Sequence, residues 1–228
     1  MLSDLHDGEL RVVGRLVDAS NATLLCDIGS DEEPVQVIYK PIAGERALWD
    51  FPDGELAKRE VAAFLLSKSL DYNIVPETIF RDGPFGLGSV QRWIDVDESI
   101  DVVELAQSQD PLIRKMALFD VLINNTDRKF GHILPTHDGS VFGCDHGVSF
   151  HSEDKLRTVL WQFAGQPLTE SELVDMSRIL ASLPQSGVAE FLNEADQEAL
   201  VRRIERVKSE ATFPFPSEDW PAVPWPPF

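Results

Sequence analysis

Residues 123–151 read INNTDRKFGHILPTHDGSVFGCDHGVSFH and hold four of the chain's five histidines. Short apolar runs flank the Asp138-Gly139 pair, a strong hairpin-turn signal. A two-residue loop there sets His137 opposite Ser140 and His132 opposite Asp145, and Pro135 places the first strand at a sheet edge. Asp127 stands in the loop that enters the same open end of the hairpin. Two carboxylates and an imidazole therefore converge beside two cations, Arg128 and Lys129. A structural zinc site wants thiolates or closely spaced histidines. The intervals of five, nine and five residues between His132, His137, His146 and His151 match no common cage. Handling of a metal-bound polyphosphate suits the set better, because it needs carboxylate metal ligands, a carboxylate to orient the attacking group and positive charge on the moving phosphate. His137 reads as solvated, His146 and His151 as packing or lining, and Asp120 as a hydrogen-bonding support for the loop.

Upstream, ELRVVGRLV, ATLLCDI and VQVIYKPI read as three successive antiparallel strands with period-two alternation. Lys40 shares a face with Gln36 and Ile38, and Pro41 stops the strand. DGELAKREVAAFLLSKSLDYN follows with helical spacing over roughly five turns. Its inward stripe of Leu56, Ala63, Phe64 and Ser67 includes Glu60, a carboxylate that needs a cation if it is buried. Lys40 is the nearest candidate. Two further strands are expected in IVPETIFRD and SVQRWI, around the turn GPFGLG.

Beyond a crossing segment near residues 91–97 the pattern turns helical. Asp110 caps a helix that opens with Pro111. Helices are also expected in DVDESIDVVELAQ, SEDKLRTVLWQF, TESELVDMSRILASL and EADQEALVRRIERVKSEA. The last sixteen residues, FPFPSEDWPAVPWPPF, hold six prolines and run extended, pinned to the large lobe by their tryptophans. The layout is a strand-rich lobe over residues 1–93 and a mostly helical lobe over 94–228, with a cleft between them.

Composition narrows the partners. Thirty-nine acidic against twenty basic side chains give a net charge of −19, which repels nucleic acids and anionic bilayers. The N-terminus lacks the basic start and apolar run of a secretory signal, no stretch is long and apolar enough to span a membrane, and Cys26 and Cys144 lie far apart. A cytoplasmic protein with two reduced thiols is expected.

On these residues rests a resemblance. NTDRKFGHIL followed by GCDHG resembles the catalytic and metal-binding loops of the phosphatidylinositol 3/4-kinase-like superfamily. VIYKP resembles its nucleotide-binding lysine strand, and KREVAAFLLSKSL the helix whose glutamate pairs with that lysine. The whole chain is also similar to small actinobacterial kinase-like proteins of unassigned substrate that end in a Pro/Trp-rich tail. The resemblance implies an α+β, bilobal protein-kinase-like fold with an antiparallel N-lobe sheet, one N-lobe helix and a helical C-lobe. It implies a phosphotransferase using ATP and Mg2+ or Mn2+, acting on a cytosolic small molecule or a protein. Carried over, Lys40 holds the α- and β-phosphates and Glu60 holds Lys40. Asp127 orients or deprotonates the acceptor, Lys129 neutralises the moving phosphate, and Asp145 and His132 ligate the metal. Ser20 and Asn21 in the first turn, with Gln91 and Trp93 in the crossing segment, complete the nucleotide contacts. Two departures stand out. No Gly-x-Gly-x-x-Gly joins the first two strands, and His132 occupies a position where the superfamily has asparagine. The second leaves open a pseudokinase that binds nucleotide without transfer; nucleotidyl transfer also stays open, since ATP bound in reverse would present its α-phosphate in the same cleft.

Overall fold

The computed structural model describes residues 5–16, 21–30 and 32–228. Five strands, β1 (Arg11–Arg15), β2 (Leu24–Ile28), β3 (Val35–Pro41), β4 (Thr78–Gly83) and β5 (Gly86–Arg92), form one antiparallel sheet in the order β1-β2-β3-β5-β4. Alternation works as the sequence requires. Val37 and Tyr39 are fully buried with Cys26, Ile28 and Val90 in the sheet's own core, so Lys40 projects from the opposite face. Central β3 is held tightly against β5: a Cβ added at Gly88 would lie 2.4 Å from the Lys40 carbonyl oxygen. Only glycine allows the two backbones to approach this closely.

Helix α1 (Leu56–Ser69) crosses behind the sheet. It is shorter than the roughly five turns expected, because Asp71 and Asn73 take left-handed backbone angles of 59° and 53° just past its end. Its N-terminus is not capped by the preceding residue. Glu45, eleven residues upstream of Leu56, accepts from the N–H groups of Leu56 at 3.3 Å and Ala57 at 2.8 Å, satisfying orphan donors and adding charge favourable to the helix dipole.

The second lobe contains α2 (Val102–Gln107), α3 (Pro111–Ile123), α4 (Glu170–Ser182) and α5 (Glu194–Glu210), with a small hairpin of β6 (Ile133–Pro135) and β7 (Val141–Gly143). Asp110 caps α3 as read, accepting from Leu112 N–H at 2.7 Å. A larger apolar core joins α3, α4 and α5 to the inner face of α1.

Three expectations change. The hairpin register is one residue off: Pro135 pairs Val141 and Ile133 pairs Gly143. Its loop has three residues, with Thr136 N–H donating to Ser140 O at 2.9 Å and Gly139 at φ 83°, the usual type I turn closed by a left-handed glycine. Asp138 accepts from Thr136 Oγ1 and Ser140 N–H, which stabilises this loop over the two-residue one. His132 thus pairs by backbone with Cys144 rather than with Asp145. The run SEDKLRTVLWQF is not helical. It is extended until a single 3-10 turn at Trp161–Phe163, because its backbone is claimed by neighbours: Arg157 N–H by Asn125 O, Val159 N–H by Arg128 O and Thr158 N–H by Ala222 O. The tail is extended as expected, yet Trp225 is 86% exposed and pins nothing. Trp220 is the tail tryptophan that packs, 5.0 Å from the Lys155 ammonium. Both cysteines are free, and no described helix is long and apolar enough to cross a membrane.

Gly88→Ala is expected to cost about 1–3 kcal/mol in urea unfolding, since the added methyl meets backbone that cannot move aside. Gly14→Ala, where a Cβ meets nothing within 4 Å, serves as control. Equal losses in the two variants would contradict the close-approach argument.

Candidate functional site

The site is assembled around a buried guanidinium. Arg128 and Asp120 are both fully buried and pair at 2.9 Å. Asp120, on α3, also accepts from Asn125 Nδ2 at 2.9 Å and Thr158 Oγ1 at 3.2 Å, the supporting role read for it. Arg128 reaches into the hairpin, donating to Cys144 O at 3.0 Å and lying 2.7 Å from His146 Nε2. Gly143 makes room, since a Cβ there would sit 3.1 Å from the guanidinium. Arg128 is therefore a structural tie between loop and hairpin, not a cation facing a phosphate. It cannot lose its proton, so His146 must accept with Nε2 and stay neutral. Burial first, then the charge of Arg128, pushes its pKa well below the ordinary histidine value.

Between these anchors the loop turns outward. Asn124 ends α3 in a left-handed conformation, Thr126 is held to Val148 O by its N–H and hydroxyl, and Asp127 N–H donates to Asn125 Oδ1 at 3.0 Å. The Asp127 side chain faces the cleft and pairs with Lys129 at 3.3 Å. Burial raises the Asp127 pKa, and nearby Asp145 adds to this, against the opposing pull of Lys129.

Across the cleft, the Lys40 ammonium bridges Glu60 of α1 and Asp145, the latter at 3.0 Å. Glu60 is buried, and its second oxygen accepts from His146 N–H at 2.9 Å. One carboxylate thus ties strand, helix and hairpin together. Burial alone would lower the Lys40 pKa, but Asp145 and Glu60 outweigh it and the net shift is upward. Lys40 in turn holds the Asp145 carboxyl well below the usual range. Asp145 has a left-handed φ of 57°, and its other oxygen lies 3.4 Å from His132 Nε2. Desolvation lowers the His132 pKa to about 4, so the ring is neutral near pH 7 with a lone pair to offer.

Asp127, His132 and Asp145 can each contribute one ligand atom, all within 4.8 Å of one another. Two anionic oxygens and a neutral nitrogen at that spacing fit a divalent cation. Beside them opens a cavity of about 640 Å³ lined by Lys40, Glu60, Asp127 and Asp145, with Asn21 at its edge. Ser20 lies outside the described residues. Gln91 and Trp93 are not among the lining residues: Gln91 is buried and donates to Thr78 Oγ1 at 2.9 Å, while Trp93 N–H extends the sheet by donating to Gln36 O. His137 pairs with Asp97 at 3.2 Å on the surface, and His151 packs its edge on Phe51.

Several contributors escaped the sequence reading. Arg59 is almost fully buried and clamps α1 to α5 through Asp196 at 2.5 Å. Lys155, Arg157 and Trp220 line the cavity from segments with no motif. The tail also closes on the loop that follows Asp127, with Phe130 N–H donating to Pro227 O at 2.8 Å and the rings of Phe130 and Phe228 5.3 Å apart.

Arg128→Met should cost about 3–5 kcal/mol in urea unfolding because it strands the Asp120 carboxylate in the core, and adding Asp120→Leu should restore most of the loss. A double variant no more stable than the single one would rule out an unpaired buried charge as the cause.

No family model matches the sequence. Among solved structures, the Golgi casein kinase with Mn/ADP bound superposes with a TM-score of 0.58 at 14% identity, covering 91% of this chain and 74% of that one. The proinflammatory kinase CtkA of Helicobacter pylori gives 0.53 at 13% identity, covering 90% of this chain and 93% of that one. At such identity the likeness concerns the fold, which is the bilobal, α+β architecture of atypical protein kinases. In sequence, the chain is 40% identical to Protein Rv2133c of Mycobacterium tuberculosis (strain ATCC 25618 / H37Rv) across 98% of its own length and 94% of the relative's, and it belongs to the family of that protein.

Proposed function

We propose that the protein is an ATP- and divalent-metal-dependent phosphotransferase of the PI3/PI4-kinase-like type, with residues 1–93 as the nucleotide-binding lobe and 94–228 as the catalytic lobe. The observation that carries this reading is the Lys40 ammonium, shared between Glu60 and Asp145 on the wall of the cavity that also holds Asp127. A strand lysine, a helix glutamate and a loop aspartate joined in this way are what phosphoryl transfer requires of a kinase-like fold. The presence of Mn and ADP in the Golgi casein kinase structure supports a nucleotide with a divalent ion in this architecture.

Asp127, His132 and Asp145 would hold the metal, which when bound neutralises charge on the β- and γ-phosphates. Lys40, kept protonated by its two carboxylates, contacts the α- and β-phosphates. Glu60 keeps it from collapsing wholly onto Asp145. Asp127 accepts the proton of an acceptor hydroxyl as that oxygen bonds to the γ-phosphorus. The bond from phosphorus to the β–γ bridging oxygen breaks, and ADP leaves with the electron pair. Lys129 neutralises charge on the group in flight.

His132 is the one ligand that favours a second reading, a pseudokinase that holds nucleotide without turnover. Imidazole nitrogen suits manganese better than magnesium, which prefers oxygen. Calorimetry with ADP should therefore give tighter binding with Mn2+ than with Mg2+, and His132→Asn should narrow that gap. Asp145→Asn should abolish the metal-dependent part of binding. Absence of nucleotide binding with either metal would end the kinase reading. Labelled ATP then separates the two readings of His132: a gain of turnover in His132→Asn identifies a decayed enzyme, and a loss shows that the imidazole is in use.

A further inference from the structure

The cavity extends well past the Lys40 cluster, and its far wall is built from three segments that share no motif. Trp49 and Asp50 come from the excursion between β3 and α1, Lys155 and Arg157 from the extended run after the hairpin, and Trp220 from the tail. The cations of this cleft differ in one respect. Lys40 is engaged by Glu60 and Asp145, and Lys129 by Asp127. Lys155 is engaged by Asp50 at 3.2 Å and Glu153 at 2.8 Å, between the rings of Trp49 and Trp220. Arg46 stands exposed at the rim.

Arg157 is otherwise. Its backbone is fully committed to the catalytic loop, donating to Asn125 O at 2.9 Å and accepting from Arg128 N–H at 3.1 Å. Its guanidinium meets no hydrogen-bond acceptor or ion-pair partner among the described residues, and its Nε is buried without a partner. A buried donor left unmade costs on the order of 1–3 kcal/mol. The fold accepts that cost beside the very carboxylate, Asp127, that a hydroxyl must approach, and the charge of Arg157 is felt there. The shape of the wall adds a second constraint. Thr158 N–H, next to Arg157, donates to Ala222 O, and Trp161 Nε1 donates to the same carbonyl at 2.8 Å. The chain's own tail thus occupies the backbone edge on which an extended peptide would pair.

We propose that this wall is the acceptor subsite, and that it takes a small hydroxylated molecule carrying a phosphate or carboxylate, with the anion on Arg157 and a ring against Trp220. The inference rests on the phosphotransferase reading for the word acceptor, but the anion site stands by itself. Arginine offers two parallel donors that match such an anion, and the cavity volume of about 640 Å³ is in the range of small-molecule sites.

Phenyl phosphate is a suitable probe because it presents both features, with inorganic phosphate and benzoate to separate the anion and ring contributions. Binding of each to the full chain is read by calorimetry, and ADP with Mn2+ is titrated in a separate arm. Arg157→Gln should weaken phenyl phosphate by roughly ten- to a hundredfold, the worth of a charge-assisted pair, while ADP affinity stays within about twofold. Trp220→Leu should weaken phenyl phosphate more than inorganic phosphate. Arg157→Lys, which keeps the charge and loses the fork, should fall between wild type and Arg157→Gln, and an unchanged melting temperature in all three variants excludes a folding defect. Failure of the wild-type chain to bind any probe at millimolar concentration, or equal losses for ADP and phenyl phosphate in Arg157→Gln, overturns the assignment. The latter result would give Arg157 to the nucleotide. Loss of ADP binding in the wild-type chain would instead sink the kinase reading and leave the anion site standing.

Discussion

The placing of the Asp127 loop against the hairpin depends on where one guanidinium sits. Arg128 is buried without solvent contact, a state whose desolvation is repaid only when nearly every donor is satisfied. Here Nε and Nη2 meet Asp120, Nη1 meets Cys144 O and His132 O, and Nη2 also faces His146. These partners come from α3, from the residues that immediately precede and follow the hairpin strands, and from the turn beyond. Loop and hairpin cannot shift separately, because either movement would strand a buried charge. Asp127 precedes Arg128 and Lys129 follows it, so both are carried on a fixed residue.

The opposite wall is held by an equivalent device of the other sign. Glu60 accepts from the Lys40 ammonium and the His146 N–H, and His146 in turn contacts Arg128. The two walls are thus linked through His146, by its backbone N–H on one side and its imidazole on the other, beside the direct Lys40–Asp145 pair. Helix α1, which carries Glu60, is fixed at its start by Glu45 and along its length by Arg59 against Asp196. Rigidity of this kind has an electrostatic consequence. Around Asp127 and Asp145 the ammonium groups of Lys40 and Lys129 are each already engaged by carboxylates, in a chain of net charge −19. On the proposed phosphotransferase reading, a divalent cation held by Asp127, His132 and Asp145 would offset that local negative charge and favour an incoming polyphosphate.

What was legible in the sequence was whatever a short-range rule decides. Alternation in β3 fixed the face of Lys40, helical spacing put Glu60 inward, and Asp110-Pro111 announced α3. The hairpin register was not decided by Asp138-Gly139 alone, because that pair serves two-residue and three-residue loops alike, and Thr136 and Ser140 break the tie. The run after the hairpin has a helical pattern, yet its backbone N–H groups find partners in Asn125, Arg128 and the tail, and tertiary pairing prevails over propensity. Arg59 and Glu60 are adjacent ionisable residues on one helix, about 100° apart around its axis. Both are buried; Glu60 was legible from the inward stripe, whereas the partner of Arg59, Asp196, lies 137 residues further on and no local pattern could assign it. Gln91 was read toward the nucleotide, but a buried amide in a central strand finds its partner in the neighbouring strand, here Thr78.

The proline-rich tail belongs to this same logic. Six prolines in the last sixteen residues remove backbone donors but leave every carbonyl. The contacts the tail makes with the second lobe use it accordingly: Thr158 N–H and Trp161 Nε1 donate to Ala222 O, and Phe130 N–H donates to Pro227 O. The groups it satisfies belong to the extended run and to the residue after Lys129, whose donors would otherwise face solvent or a foreign chain. An acceptor-rich strand that cannot itself template further pairing is well matched to such an edge. By closing it, the tail completes the support of the loop that carries Asp127 and brings Trp220 to the wall of the cavity, so that a segment distant in sequence becomes part of the site's lining.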